Sequence, residues 1–293
     1  MKKILLTLMF VSFLNANSQN PVQEFNFNGN LNSSDNTISF LGSPVFVNDR
    51  AGTPRGALRL TNKSFQAVVG DLPQGNKPRT ISVWVKYNAV NTPNYILAYG
   101  TAANAQYFGL VQQAGAGSSS DAVLSGWGAG NDVVASVPLA KEIWYMYCIT
   151  YDGNVSKIYR NGELLKSVDG IVRATKGYIL SVGKLNNTTS INADIDDLKV
   201  YSVAMTDEQV IEAYNSSKPA GSAAAETKAV SGPVKKVAAA AASTPAKSAA
   251  PASETNKVVK NVEVFSQGKK IIGANASNIG DLPEGTYLIK VSN

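Results

Sequence analysis

The densest group of chemically active side chains in this sequence is acidic, because Asp194, Asp196 and Asp197 fall within four residues. Carboxylates this close repel one another unless a cation lies among them. Strand alternation places Asp196 on one face with Leu198 and Val200, so its charge is expected to be buried and to need a partner. A bound metal ion, an arginine partner or a solvated strand end would each satisfy it.

Histidine is absent from the sequence. This absence excludes Ser-His-Asp and Cys-His activated nucleophiles, a histidine general base and histidine-ligated zinc. The one cysteine, Cys148, lies in an apolar run and is predicted to be a buried structural thiol.

A second group of candidate residues is aromatic and lies in the irregular stretch 91–132. Gly126 and Gly128 flank Trp127, and Asn131 and Asp132 follow. An exposed Trp127 would offer a flat apolar face to a sugar ring, while the two polar residues bond its hydroxyls. The alternative is that Trp127 is a core or edge residue of a strand over 122–127. The other aromatic ligand candidates in this stretch are Tyr95 and Tyr107.

The elements that must position these residues are antiparallel strands. Apolar residues on both faces of Trp144–Tyr151 predict a central strand, and the dipeptides Asp152-Gly153 and Asn161-Gly162 predict tight turns after it. In the stretch 81–87, Ile81, Val83, Val85 and Tyr87 alternate toward the core. Trp84 therefore points away from the core, either to a sugar-binding surface or beneath a crossing segment.

A short helix is predicted after the last of these strands. Thr206 and Gln209 form a capping-box pattern, with two acidic residues between them. Val210, Ile211 and Tyr214 give this helix an apolar face.

Four segments in this order carry a family resemblance: EFNFNGNLNSSDN, PRTISVWVKY, WYMYCITYDGNVSKIYRNGELL and NADIDDLKVYSVAMTDEQV. Over residues 22–216 the chain resembles the laminin-G-like, concanavalin A-like jelly rolls. The resemblance implies an all-β, antiparallel two-sheet sandwich with a short C-terminal helix. This fold serves lectins, adhesion modules, enzymes and structural domains, so it does not by itself define a function.

The same resemblance implies a structural calcium ion, held between the N-terminal loop and the closing strand. Its ligands would come from Asn28, Asn32, Asp35 and Asp196. The sequence departs from the family here, since Asn32 stands where an aspartate is usual and Asp35 where a glycine is usual. Calcium prefers six to eight oxygen ligands with carboxylate charge among them, and a plain solvated turn is the alternative.

The acidic cluster can also be compared with the catalytic residues of glycosidases. Laminarinase-type glycosidases share the broad jelly-roll fold of the family that this chain resembles, and in register with their catalytic strand Asp194 would replace the first glutamate and Asp196 the helper. Leu198 and Lys199 then occupy the two acid/base positions, so the proton donor for hydrolysis is missing. We therefore predict a protein that is not an enzyme.

Composition divides the chain into four predicted parts. Residues 1–18 have a basic start, a short apolar run and a small-residue cleavage site, as in a secretory signal peptide. The sandwich is predicted over 19–217, and an Ala/Lys/Pro/Ser-rich disordered linker over 218–257. Residues 258–293 alternate like strands and resemble the C-terminal sorting domain of the Bacteroidota type IX secretion system.

The net charge of +6 does not belong to the sandwich, where residues 19–217 contain 15 Lys and Arg against 16 Asp and Glu. No nucleic-acid partner is therefore expected. The apolar run near the start is too short to span a bilayer, so the protein is not expected to be transmembrane. We predict a secreted or cell-surface, non-catalytic module that binds a glycan or polysaccharide. The alternative is a protein-binding or structural module that recognises another envelope or matrix protein.

Overall fold

A computed structural model describes residues 20–117, 119–128 and 130–219, together with the backbone of three strands between 261 and 292. The predicted signal peptide and residues 220–257 of the predicted linker lie outside the described residues. In chain order the elements are β1 (Gln23–Phe25), β2 (Val45–Val47), β3 (Ala57–Thr61), β4 (Phe65–Val68), β5 (Arg79–Tyr87), β6 (Asn94–Gly100), β7 (Tyr107–Gln112), β8 (Ser119–Ser125), β9 (Val133–Pro138), β10 (Trp144–Tyr151), β11 (Ser156–Arg160), β12 (Glu163–Val168), β13 (Ile179–Val182), β14 (Lys184–Leu185), β15 (Thr188–Thr189), β16 (Asn192–Tyr201), α1 (Asp207–Ser217), β17 (Asn261–Ser266), β18 (Lys269–Ile272) and β19 (Leu288–Ser292).

Two antiparallel sheets form the predicted jelly-roll sandwich. The eight-stranded sheet has the order β12-β11-β10-β5-β16-β3-β2, with β1 also paired to β16. The six-stranded sheet has the order β4-β13-β6-β7-β8-β9. Their facing sides share one continuous apolar core, which includes the rings of Phe25, Phe40 and Phe108. Burial of this core on folding is the main force that holds the two sheets together.

The strands that the alternation predicts are confirmed. Ile81, Val83, Val85 and Tyr87 of β5 belong to the core between the sheets. Strand β10 pairs with β5 on one side and β11 on the other, and it is buried from Tyr145 onward. The turn after β11 uses Asn161 (φ 54°) and Gly162 (φ 84°), which are the left-handed residues that a tight hairpin requires.

The predicted face of Asp196 is wrong, because β16 contains a β-bulge. The register between β16 and β5 shifts between Asp196 and Lys199, and Asp197 takes a positive φ of 45°. Asp196 pairs with Trp84 and therefore lies on the outer face, whereas Leu198 and Val200 point into the core. Simple alternation fails here because a bulge inserts an unpaired residue.

Helix α1 begins after a complete capping box formed by Thr206 and Gln209, as predicted. Val210 is fully buried, and the ring centroid of Tyr214 lies 5.8 Å from that of Trp84. Ile211 was expected on the same face but is 47% exposed, since it lies one helical step away from the buried stripe. Trp84 is thus covered by the helix on the outer face of the eight-stranded sheet.

The backbone of the C-terminal segment forms the predicted strands. β17 pairs antiparallel with β18 and with β19, in the order β18-β17-β19.

Candidate ligand-binding site

Strand β8 ends at one end of the sandwich, and the chain there turns sharply through Gly126 and Trp127 into β9. Gly126 has no room for a side chain, because an added Cβ would lie 2.5 Å from both Arg173 Nη1 and the Asn131 carbonyl oxygen. Trp127 has a φ of 63°, a left-handed conformation that a bulky residue rarely takes and that costs about 1–2 kcal/mol. The direction of the Trp127 side chain is therefore set by this left-handed backbone, and it differs from the direction that an ordinary strand conformation would give.

Hydrogen bonds hold Trp127 in this conformation. Its carbonyl oxygen accepts bonds from Ala105 N (3.0 Å) and Asn131 Nδ2 (2.8 Å). Its ring packs against Tyr107, with 5.4 Å between the centroids, and stays half-buried. The backbone amide of Asn186 donates to the Tyr107 hydroxyl (2.8 Å), which fixes the supporting ring. Tyr107 thus covers one side of the indole, and the other part of the Trp127 side chain stays exposed. We call the loops around Trp127 and Asn104 at this end of the sandwich the rim.

Amide side chains lie next to this indole. Asn131 Nδ2 also donates to Asn104 Oδ1 (2.8 Å), and Asn104 is exposed in the loop between β6 and β7. Nothing in the sequence pattern singled out Asn104, because it comes from a loop more than 20 residues away from Trp127. Only the pairing of β6, β7 and β8 brings the two loops together.

Asp132 and Tyr95 take different positions from those of Trp127, Tyr107 and Asn131. One carboxylate oxygen of Asp132 accepts from Gly126 N (2.7 Å) and Ser125 Oγ (3.2 Å), so this exposed residue fastens the turn. Tyr95 pairs with Val111, four residues along β7 from Tyr107. At about 3.3 Å per residue, it lies roughly 13 Å away along the sheet.

The acidic cluster is neutralised by cations. Asp194 is fully buried and accepts from Arg59 (2.7 and 3.0 Å) and Asn88 (3.1 Å), and Lys86 lies 3.1 Å away. Burial alone would raise the pKa of Asp194, but the bonds from Arg59, Asn88 and Lys86 lower it overall. Asp194 therefore remains ionised as a structural group.

Asp196 has an arginine partner, which is one of the three alternatives that the sequence left open. The guanidinium of Arg50 donates to both Asp196 and Asp197, and its Cζ lies 4.9 Å from the Trp84 ring centroid. Burial, together with Asp197, raises the pKa of Asp196 to about 7. A single guanidinium thus serves two adjacent carboxylates.

The residues predicted for calcium do not fit that ion in this arrangement. Asp35 Oδ1 accepts from Ser33 Oγ (2.6 Å) and from Thr37 N and Oγ1 (3.1 and 2.7 Å), all within its own turn. The Asn28 carbonyl and Asn32 also bond within the same loop, while Asp196 is engaged by Arg50. The described residues include no cluster of three acidic or sulfur side chains arranged to hold a metal ion.

A cavity of about 280 Å³ lies elsewhere, between α1 and the outer face of the eight-stranded sheet. Its lining includes Trp84, Tyr201, Asp197 and Lys199. Two of the charged residues that line it are already paired, since Asp197 contacts Arg50 and Lys199 contacts Glu24 (2.8 Å), and Glu212 of α1 lines it as well. The Trp84 indole nitrogen donates to Ser217 Oγ (3.2 Å), so this aromatic is engaged with the helix.

The two-sheet sandwich with an aromatic rim defines a lectin-like jelly roll. The chain belongs to the concanavalin A-like lectin/glucanase superfamily, whose profile matches residues 60–211. A search of curated protein sequences finds no match. In the part of the chain that the structure describes, no helix has the length and apolar character needed to cross a membrane.

Solved structures show the same fold. Domain 4 of AbnA, an extracellular arabinanase from Geobacillus stearothermophilus, in complex with arabinotriose, has 19% identity and a TM-score of 0.53 over 66% of this chain and 98% of that domain. The receptor-binding domain of botulinum neurotoxin type G has 18% identity and a TM-score of 0.50 over 67% of this chain. The binding domain of serotype D/C has 13% identity and a TM-score of 0.51. The match spans about half of each neurotoxin chain, 51% and 52% respectively.

Proposed function

We propose that the sandwich is a secreted, non-catalytic carbohydrate-binding module whose ligand lies against Trp127. The observation that carries this proposal is the left-handed backbone of Trp127, which presents a half-buried indole at the rim. Strained residues of this kind persist only where the surroundings fix them, and they are common at ligand sites.

The chemistry of the rim suits a neutral sugar. The apolar face of a sugar ring packs on the indole, and Asn104 Nδ2 and Asn131 Oδ1 bond its hydroxyls, because Asn131 Nδ2 already donates to Asn104 Oδ1 and to the Trp127 carbonyl. Asp132 holds the turn through Gly126 N and leaves the binding contacts to the amides. The arabinanase domain that shares this fold was solved with arabinotriose, which supports an arabinan-type oligosaccharide as the first ligand to test.

The acidic cluster supports a binding role over hydrolysis. Asp194 is bonded to Arg59 and Lys86, and Asp196 to Arg50. Leu198, at one of the two acid/base positions, is buried in the core. A glycosidase needs two carboxyl groups placed on either side of the scissile bond.

We further propose display at the cell surface. The predicted signal peptide, the basic linker and the C-terminal segment that resembles a type IX sorting domain support this arrangement. Single sites in such modules bind weakly, and display of many copies would supply avidity.

A protein partner is the second candidate function, favoured by apolar exposure near the same end of the sandwich. Val172 is 70% exposed, in the segment whose Ala174 N bonds to Ala105 O (2.8 Å). Ile179 and Tyr178 are 49% and 38% exposed a few residues further on. Contiguous exposed apolar surface marks protein interaction sites, so these three residues are the first to substitute in a search for a protein partner.

A glycan array that includes arabinan oligosaccharides tests the proposal. We expect the parent chain to bind, and Trp127→Ala to lose roughly tenfold or more in affinity, since truncation of a tryptophan that anchors a ligand costs about 2 kcal/mol or more. Trp144→Ala is the matched control, because Trp144 is also half-buried but lies on β10 in the other sheet. An array without signal from a folded sample would favour the protein partner, and pull-down from an envelope extract would then follow.

A further inference from the structure

Three buried polar side-chain atoms have no hydrogen-bond partner within the described residues: Arg173 Nη1, Arg173 Nη2 and Thr175 Oγ1. The two residues are only 1% and 2% exposed. Native interiors leave few such atoms, and each one requires an explanation. The three atoms belong to two residues, Arg173 and Thr175, which are two positions apart in the sequence. One missing hydrogen-bond acceptor could therefore satisfy all of them.

These atoms lie on the inner face of one extended segment, residues 171–176. Ile171, Arg173 and Thr175 are buried, whereas Val172 between them is 70% exposed. Backbone bonds from Ala174 N to Ala105 O (2.8 Å) and from Gly75 N to Thr175 O (2.7 Å) fix the segment across the end of the sandwich. Arg173 and Thr175 therefore face the same interior region.

A second buried guanidinium lies in that region. The Cζ of Arg79 is 5.3 Å from the ring centroid of Phe108 and 5.5 Å from that of Tyr151. For Arg173 the same two distances are 5.4 and 5.7 Å, so both cations contact the same pair of rings.

The two cations share one nearby carboxylate, because Asp132 accepts a bond from Gly126 N (2.7 Å) beside Arg173 Nη1 and its charge acts on Arg173. Arg79 donates to the carbonyl oxygens of Pro73, Gly75 and Lys77 and to the Tyr99 hydroxyl, all of which are neutral. Arg173 donates through Nε to Ser156 Oγ (3.0 Å). Burial lowers the pKa of Arg173 to about 10, and the charge of Arg79 adds to this effect while Asp132 opposes it, so Arg173 remains charged at pH 7. Buried charges that outnumber their counter-charges are costly.

We propose that Arg173 and Thr175 bind a small monovalent anion, such as chloride, inside the sandwich. Three donors with no acceptor match an anion, and its charge, together with that of Asp132, would offset the two guanidinium groups. Both orphaned nitrogens are buried, so a sugar or peptide carboxylate does not reach them in this conformation. A buried water could accept the bonds but would leave the excess positive charge uncompensated.

Thermal unfolding of the full chain tests the site. The chloride concentration is varied against gluconate, which is too large to enter, at constant ionic strength. We expect Tm to rise with the logarithm of chloride concentration, by roughly 5 °C or more at a hundred times the dissociation constant. A Tm that is the same in the two salts would overturn the proposal.

Three variants make the test specific. Arg173→Met removes the charge at similar length and should abolish the chloride effect. Thr175→Val keeps the shape, and its chloride response should shift to higher concentration. Arg55→Met is the control, because Arg55 is exposed and lies over the Phe46 ring, and it should respond like the parent.

Crystals grown in sodium bromide keep the proposal testable if Arg173→Met does not fold. An anomalous peak within hydrogen-bond reach of Arg173 Nη1 and Nη2 would support it. Density for water at that position, with no anomalous signal, would contradict it.

Discussion

Trp127 joins two properties that seldom occur in one residue, a bulky side chain and a left-handed backbone. Glycine takes this conformation without steric cost, so a sequence selected for stability alone would favour glycine here. The indole must therefore contribute something that offsets the strain. In our account this contribution is contact with a ligand.

Replacing Trp127 by alanine and by glycine separates strain from contact. Trp127→Gly should be more stable than Trp127→Ala by about 1 kcal/mol, because glycine relieves the positive φ. At Trp144, in an ordinary strand, the order should reverse. Urea unfolding of the four variants measures both differences. If the alanine and glycine variants rank in the same order of stability at both positions, Trp127 is not strained.

Asp196 should make stability depend on pH. Its pKa is about 7 in the folded protein and near 3.8 when unfolded, so the folded state holds a proton more tightly. The stabilisation is therefore present below about pH 4 and is lost as pH rises through 7, with a slope of at most about 1.4 kcal/mol per unit. Asp196→Asn should remove this component, as measured by thermal unfolding from pH 4.5 to 8. Asp71→Asn, at an exposed site, is the control. Parallel curves for the parent and Asp196→Asn would contradict the assignment.

The prediction of a bound calcium ion is tested by chelation. Because Asp196 is bonded to Arg50 and Asp35 to its own turn, excess EGTA should leave Tm unchanged. A fall in Tm that is absent in Asp196→Asn would instead restore calcium as a ligand of this loop.

Among the elements, those with strict alternation could be predicted from sequence, and those with local irregularities could not. Strand β5 shows its core face directly, because every second residue is apolar. The bulge in β16 depends on the positive φ of Asp197, and three aspartates within four residues carry no pattern that signals it. The partners Arg50 and Arg59 come from distant parts of the chain, so only the fold identifies them.

The loop between β8 and β9 depends on close packing at Gly126. In Gly126→Ala the new methyl group would overlap Arg173 Nη1 and the Asn131 carbonyl, at a cost of roughly 1–3 kcal/mol, and ligand binding should weaken because Asn131 moves. Gly115→Ala is a graded control, since its nearest contact is 3.2 Å. Urea unfolding would contradict this account if the two variants lost equal stability.

At the scale of the whole molecule, the sandwich brings together loops that are distant in sequence. Trp127 and Asn131 follow β8, Asn104 precedes β7, and the segment of Arg173 crosses beneath them. The sequence identified the aromatic and one amide, whereas Asn104 and the buried Arg173 required the structure. Because the proposed anion site lies next to the rim, we infer that the buried residues at this end of the sandwich hold the rim loops in place.

The most direct test of the central claim uses the three tryptophans, each of which has one indole N–H resonance. In ¹⁵N-labelled protein titrated with an oligosaccharide that binds on the array, we predict that the Trp127 signal moves, while those of Trp84 beneath α1 and Trp144 on β10 stay in place. Loss of the moving signal in Trp127→Phe would assign it. A shift confined to Trp84 would place the ligand in the cavity beneath α1 and contradict the proposed site.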